Sequence, residues 1–125
     1  MTSQRVPETL PRPARLRAQK DFDRVLRHGV RASDQRITLY AAGNEVGTAR
    51  LGIAAGRRLG NAVRRNRIKR LVREAFRRLR HRLPPGTDWI VVPKASGEPT
   101  DLDVQRSLHA LAERLARRMP PAAKS

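Results

Sequence analysis

Apolar residues recur with a helical rhythm in the second half of the chain. Ile68, Leu71, Val72, Ala75, Phe76, Leu79 and Leu83 stand at i, i+3, i+4, i+7, i+8, i+11 and i+15, the spacing that gathers side chains on one side of an α-helix. Asn66, Arg67, Lys69, Arg70, Arg73 and Arg77 fall on the other side. The pattern predicts a helix over residues 61–82. Asn61, directly after Gly60, is a good N-cap, because its side-chain oxygen can accept from an orphan amide of the first turn. Pro84-Pro85-Gly86 stops the helix. Arg64 and Arg65 fall on the apolar side of the wheel, but lie in the first turn, where they project past a core.

The remaining pattern supplies the partners of this helix. Phe22, Val25 and Leu26 predict a short helix over residues 19–28, ended by Gly29. A brief extended piece follows at 30–32. Ile37, Leu39 and Ala41 alternate with Arg36, Thr38 and Tyr40, which predicts a strand over 36–42. After a Gly- and Asn-containing turn at 43–47, Ala49, Leu51, Ile53 and Ala55 alternate with Thr48, Arg50, Gly52 and Ala54, a second strand over 48–55. Trp89-Ile90-Val91-Val92 is apolar without alternation, so the strand over 88–93 belongs in the middle of a sheet. Thr100, with Asp103 three residues on, opens the last helix as an approximate capping box. Val104, Leu108, Leu111, Ala112 and Leu115 form its stripe, and Pro120-Pro121 ends it. Residues 1–14, with three prolines, read as a flexible tail, as do residues 120–125. One domain remains, residues 15–119. Its class is α+β, a small sandwich in the order α-β-β-β-α-β-α, with one four-stranded sheet packed by helices.

Charge changes what this fold is for. The chain of 125 residues has a formal net charge of +17, and a small folded domain self-repels under so much like charge. A polyanion relieves that repulsion, and release of condensed counterions favours its binding. Only Lys20, Lys69, Lys94 and Lys124 of the 28 basic residues are lysine; arginine forks onto phosphate and stacks on bases. Cysteine is absent and the three histidines are scattered, so disulfides are excluded and a zinc site is not indicated. No apolar run reaches the roughly 18 residues of a membrane span, and residues 1–5 lack the apolar stretch of a secretory signal. These features read as a cytoplasmic, nucleic-acid-binding protein without a membrane partner. Catalysis by the polypeptide would need clustered carboxylates for divalent metals. The close pairs, Asp21/Asp23 and Asp101/Asp103, sit at helix starts, where acids oppose the macrodipole. No catalytic or metal-ligating residue is assigned.

The string Gly60-Asn61-Ala62-Val63-Arg64-Arg65-Asn66-Arg67-Ile68-Lys69-Arg70-Leu71-Val72-Arg73-Glu74 resembles the signature of the bacterial ribonuclease P protein component family. Leu16-Arg17 with Asp21-Phe22 and His28-Gly29, then Leu39-Tyr40, Leu51-Gly52-Ile53 and Asp88-Trp89-Ile90-Val91-Val92, resemble its flanking elements. The resemblance runs over residues 15–118. It implies a left-handed crossover through the basic helix, a handedness that ordinary topology rules would not supply. It also implies an accessory role in an endoribonuclease that removes the 5′ leader of precursor tRNA, with magnesium ions and chemistry held by a catalytic RNA. One protein per RNA is expected.

Site residues follow from the same resemblance. Arg64, Arg65, Asn66, Arg67, Lys69, Arg70, Arg73 and Arg77 are expected against the RNA subunit. Phe22 and Tyr40, in a cleft between the first helix and the sheet, are expected to stack single-stranded leader. Arg57, Arg58 and Asn61, at the glycine-flanked entry to the basic helix, and Lys94, on the rim, are expected to meet leader phosphates. Family members often carry further aromatics where this chain has Leu26 and Ile37, and some carry lysine in place of Gly56, so stacking gives way here to apolar contact and arginine. The rival reading is a general structured-RNA-binding or ribosome-associated protein.

Overall fold

The computed structural model describes residues 10–95 and 97–119. The elements follow the expected order: α1 (Gln19–His28), β1 (Val30–Ser33), β2 (Ile37–Gly43), β3 (Arg50–Ile53), α2 (Ala62–Leu79), β4 (Thr87–Pro93) and α3 (Asp101–Arg118). The strands form one mixed sheet in the order β1-β2-β4-β3. β2 runs antiparallel to β1 and β4, whereas β3 and β4 are parallel and joined through α2. The apolar run of β4 is thus explained by its place between two strands: Trp89, Ile90 and Val91 are all fully buried.

Period-two alternation divides the sheet into two faces. Leu39, Ala41, Leu51, Trp89 and Val91 join the larger core, where α2 and α3 pack with Val72, Phe76, Leu108 and Leu115. Ile90 lies on the opposite face under α1, in a smaller cluster with Leu16 and Val25, flanked by half-buried Phe22, Tyr40, Ala42, Ala54 and Val92. The helix ends are capped as their sequences require. Asn61 Oδ1 accepts from the Arg64 amide at 2.9 Å. Thr100 Oγ1 accepts from the Asp103 amide at 3.1 Å while the Asp103 carboxylate accepts from the Thr100 amide at 3.0 Å, completing the capping box.

Three boundaries differ from the sequence reading by more than about one residue, the usual scatter of element ends. The expected strand over 48–55 is reduced to β3; ahead of it the Asn44 side chain donates to the Thr48 carbonyl at 3.0 Å and holds that residue in the turn. The basic helix is α-helical only to Leu79 and tightens into a 3-10 turn at Arg80–Arg82, as helix ends often do. The expected tail over 1–14 also begins to fold earlier. Leu10 and Ala14 are buried in the main core, and Arg12–Ala14 form a 3-10 turn. An isolated leucine among prolines has no periodicity by which to announce itself. The rest of that tail, residues 1–9, and the tail at 120–125 lie outside the described residues.

Two carboxylates give the fold an acid limit. Asp34 Oδ1 closes the β1–β2 turn, accepting from the Arg36 amide at 2.8 Å and the Ile37 amide at 3.0 Å. Partial burial pushes the Asp34 carboxyl up, but hydrogen bonds from Ile37, Ser107 and Arg36, with the Arg36 charge, outweigh it and hold the group below the ordinary carboxylate range. Hydrogen bonding by Thr100 lowers Asp103 in the same way. Both ionise below their unfolded value of about 3.9. The stability they add is therefore complete above that pH and is lost as the pH falls through their folded values. The Asp34→Asn, Asp103→Asn protein is expected to be less stable near neutrality and to lose less on acidification, read from urea midpoints on either side of about pH 4.

Candidate nucleic-acid interface

Helix α2 docks through Ile68, Val72, Ala75, Phe76 and Leu79, all buried, and this fixes what faces outward. Asn66 and Arg70 stand exposed on the opposite side, with Lys69 and Arg73 half-buried on the flank toward β3. Among the described residues, Lys69, Arg70 and Arg73 have no acidic partner within ion-pair distance. The other expected cations are more engaged. Glu74 pairs with Arg77 and lies 3.5 Å from Arg78. Arg67 reaches Glu98 and the Pro99 carbonyl, both at 3.3 Å.

Arg64 turns away from the outer face. Its Nε donates to Glu98 at 2.9 Å, and its terminal nitrogens donate to the Leu59 and Gly97 carbonyls. It thereby ties the entry of α2 to the β4–α3 loop. Arg65 is half-buried, and its Nε is buried with no hydrogen-bond partner. Among the described residues, the cations of this helix left without an acidic partner are therefore Arg65, Lys69, Arg70 and Arg73, of which Arg70 is exposed.

The second surface is the sheet face that α1 covers only in part. Phe22 is half-buried there, and its ring lies directly on Gly52: a Cβ at position 52 would come within 2.5 Å of the ring. Phe22 thus packs on the sheet at Gly52 and also lines a pocket beside β3. Tyr40 shares this face, beside Ile90 in the β2–β4 register. Further along, a pocket of about 430 Å³ is bounded by Ala54, Gly56, Arg58 and Pro93. Arg57 and Arg58 are exposed on a 3-10 turn at Arg57–Leu59. Gly60 then turns the chain into α2 at φ +114°, a left-handed geometry that favours glycine. Asn61 Oδ1 accepts from the Arg64 amide, which leaves its amide nitrogen and the second lone pair of that oxygen for a ligand. Lys94 is exposed, but its Nζ donates to the Asp34 carbonyl at 2.6 Å, which holds it beside the β1–β2 turn.

An α2 that displays unpaired cations beside a partly open, aromatic-bearing sheet face matches a known architecture. The Ribonuclease P family matches the sequence over residues 10–116. The chain belongs to the ribonuclease P protein family. It is 37% identical over 102 residues to the ribonuclease P protein component of Pelotomaculum thermopropionicum, covering 82% of this chain and 89% of that protein. It is 36% identical over 115 residues to that of Chlamydia trachomatis serovar L2, covering 91% and 89%. The solved structure of the RNase P protein from Thermotoga maritima superposes with a TM-score of 0.73 at 32% identity, over 80% of this chain and 96% of that one. The Staphylococcus aureus RNase P protein gives 0.72 at 32% identity, over 81% and 94%.

In this ribonuclease P protein two groups of residues escape a reading of the sequence. Asp88, fully buried, receives Arg50 Nε at 2.8 Å, Arg50 NH2 at 2.9 Å, Asn44 Nδ2 at 2.7 Å and Arg24 NH2. This network pins α1, β3 and the β2–β3 turn to the end of β4, and so sets where Phe22 sits. Arg15 and Arg17 come alongside β3 through an Arg15–Leu51 bridge. For the latter pair the sequence offers a period of two around Leu16, too short to be distinctive, and the Leu16-Arg17 step of the family resemblance, which assigns neither arginine a contact. Among the described residues, no three or more acids, histidines or cysteines are grouped to hold a metal ion, and no helix is long and apolar enough to cross a membrane.

Proposed function

We propose that this ribonuclease P protein component acts as the RNA-binding accessory subunit of the holoenzyme. The outer face of α2 seats on the ribonuclease P RNA, and the sheet face beside α1 holds the 5′ leader of precursor tRNA, in a cytoplasmic complex with one protein per RNA. The observation that carries this reading is the set of unneutralised cations at Lys69, Arg70 and Arg73, on a helix anchored rigidly from behind. Guanidinium forks bind backbone phosphate, and structured RNA offers backbone and shape more readily than base sequence. Among the described residues, acids, histidines and cysteines are not grouped to hold a metal ion. Magnesium and the hydrolytic step belong to the RNA. The protein contributes charge neutralisation and a groove in which Phe22 and Tyr40 meet unstacked bases.

Reconstitution tests this reading. Adding the protein to ribonuclease P RNA is expected to restore precursor tRNA cleavage at magnesium concentrations where the RNA alone cleaves poorly. An unchanged turnover and magnesium requirement, or equal affinity for unrelated structured RNAs, would overturn it in favour of a general RNA-binding protein.

A further inference from the structure

At the β3 edge of the sheet, residues 15–17 run beside the strand. Arg15 and Leu51 form a parallel bridge, and the Leu16 amide donates to the Leu51 carbonyl at 2.7 Å. Leu16 is buried under α1. The arginines on either side of it open instead onto a pocket of about 210 Å³ between β3 and α2. Lys69 and Arg73 close that pocket from the helix side, and Phe22 and Gly52 form part of its wall. That is several times the roughly 30 Å³ share of a water, enough for a phosphodiester group.

No acid lines this pocket. Arg15 Nε donates to the Leu10 carbonyl at 3.0 Å, which fixes the guanidinium while leaving its terminal nitrogens for a ligand. The burial of Leu10 and the turn at Arg12–Ala14 hold this arrangement in place. Arg73 faces it in a partly desolvated position. Burial first, and then the like charge of Arg15, lower its pKa from the ordinary arginine value. Two guanidiniums kept close in a half-buried site, with no counter-anion, raise the energy of the free protein; an anion between them removes that penalty.

We propose that Arg15, Arg17, Lys69 and Arg73 form a binding site for one phosphate group of an RNA backbone at the β3 edge. The proposal rests on the RNA-binding reading above and adds Arg15 and Arg17 to the contact surface. The pocket joins the outer face of α2, through Lys69 and Arg73, to the leader-facing side of the sheet, through Phe22. The phosphate comes either from the RNA subunit or from the leader, and the chemistry of recognition is the same for both.

The test measures dissociation constants of the full-length protein as a function of salt in two arms. One arm titrates ribonuclease P RNA; the other compares precursor tRNAs with and without a leader on the assembled holoenzyme. Arg17→Glu is the primary variant, because Arg17 is exposed and its replacement does not disturb the core. Arg15→Ala, Arg17→Ala is the second, with its melting temperature recorded. A loss of about 10-fold in affinity, with the salt slope reduced by about 0.7–0.9 per contact removed, is expected in at least one arm. The arm affected identifies the source of the phosphate. Unchanged affinity and slope for Arg17→Glu in both arms overturns the proposal, as does a loss with no change in slope. An Arg67→Ala, Arg70→Ala control separates the two levels of inference. If it too leaves every affinity unchanged, the RNA-binding reading fails; if it weakens assembly while Arg17→Glu does nothing, only the pocket fails.

Discussion

The Arg67→Ala, Arg70→Ala protein is expected to bind ribonuclease P RNA about 10- to 100-fold more weakly near physiological salt, as two charge-assisted phosphate contacts are lost. The slope of log affinity against log salt should fall by about 1.4–1.8, since each contact releases roughly 0.7–0.9 of a counterion. Both side chains are exposed on α2, and the Arg67–Glu98 contact is an exposed pair, so the melting temperature should move little. The two positions are not equivalent. Arg70 has no acidic partner, whereas Arg67 is held by Glu98 at 3.3 Å and must release it to take a phosphate. Arg70→Ala alone should therefore carry the larger share of the loss. Filter-binding titrations over a range of potassium chloride concentrations read affinity and slope together. A slope equal to that of the native protein would remove the outer face of α2 from the RNA contact.

A second large effect is expected away from any ligand. Asp88→Ala should cost about 3–5 kcal/mol of folding free energy, the range for breaking a buried ion pair from one side. Asp88 is fully buried and accepts two well-aligned bonds from Arg50 at 2.8 and 2.9 Å, one from Asn44 and one from Arg24. Removing the carboxylate leaves two guanidiniums facing each other with the counter-charge reduced to Asp21, which lies 3.6 Å from Arg50 and 3.4 Å from Arg24. The Asp88 hydrogen bond also raises the pKa of Arg50 above the ordinary arginine value, so the charged form of Arg50 is favoured in the fold. Against a typical total of about 5–15 kcal/mol, such a loss is severe. Urea unfolding followed by circular dichroism should show it as a shifted midpoint with little change in slope. Arg24→Ala should cost less, because that side chain is about one-third exposed (34%) and its charge is already screened by water. A native-like midpoint for Asp88→Ala would mean that α1 is held by apolar packing alone.

The helices were legible because their causes are local. The apolar stripes of α2 and α3 repeat over several turns, and Asn61 and Thr100 supply caps within three residues of the amides they satisfy; the α1 stripe is shorter, with Val25 buried and Leu26 exposed. The central position of β4 was legible from four consecutive apolar residues. The late start of β3 was not, since it follows a turn in which the Asn44 side chain binds a carbonyl four residues away. Arg64 shows the same limit within the interface. Its place on the helical wheel was known, but its bonds to Glu98 and the Gly97 carbonyl depend on a loop more than thirty positions later in the chain.

The order of amino acids by itself determined three amphipathic helices, four strands, an arginine-rich outer face and a polyanionic partner. These follow from periodicity, caps and net charge, which act over a few residues or over the whole chain without regard to shape. Only the tertiary structure decided which cations are already spoken for, that Leu10 completes the core, that Asp88 locks α1 onto the sheet, and that Arg15 meets Arg73 at the β3 edge. Apart from the pairing of Glu74 with Arg77 and Arg78 within one helix, those are encounters between residues far apart in the chain. Coulomb and hydrogen-bond energies depend on distance in space, which no local pattern records.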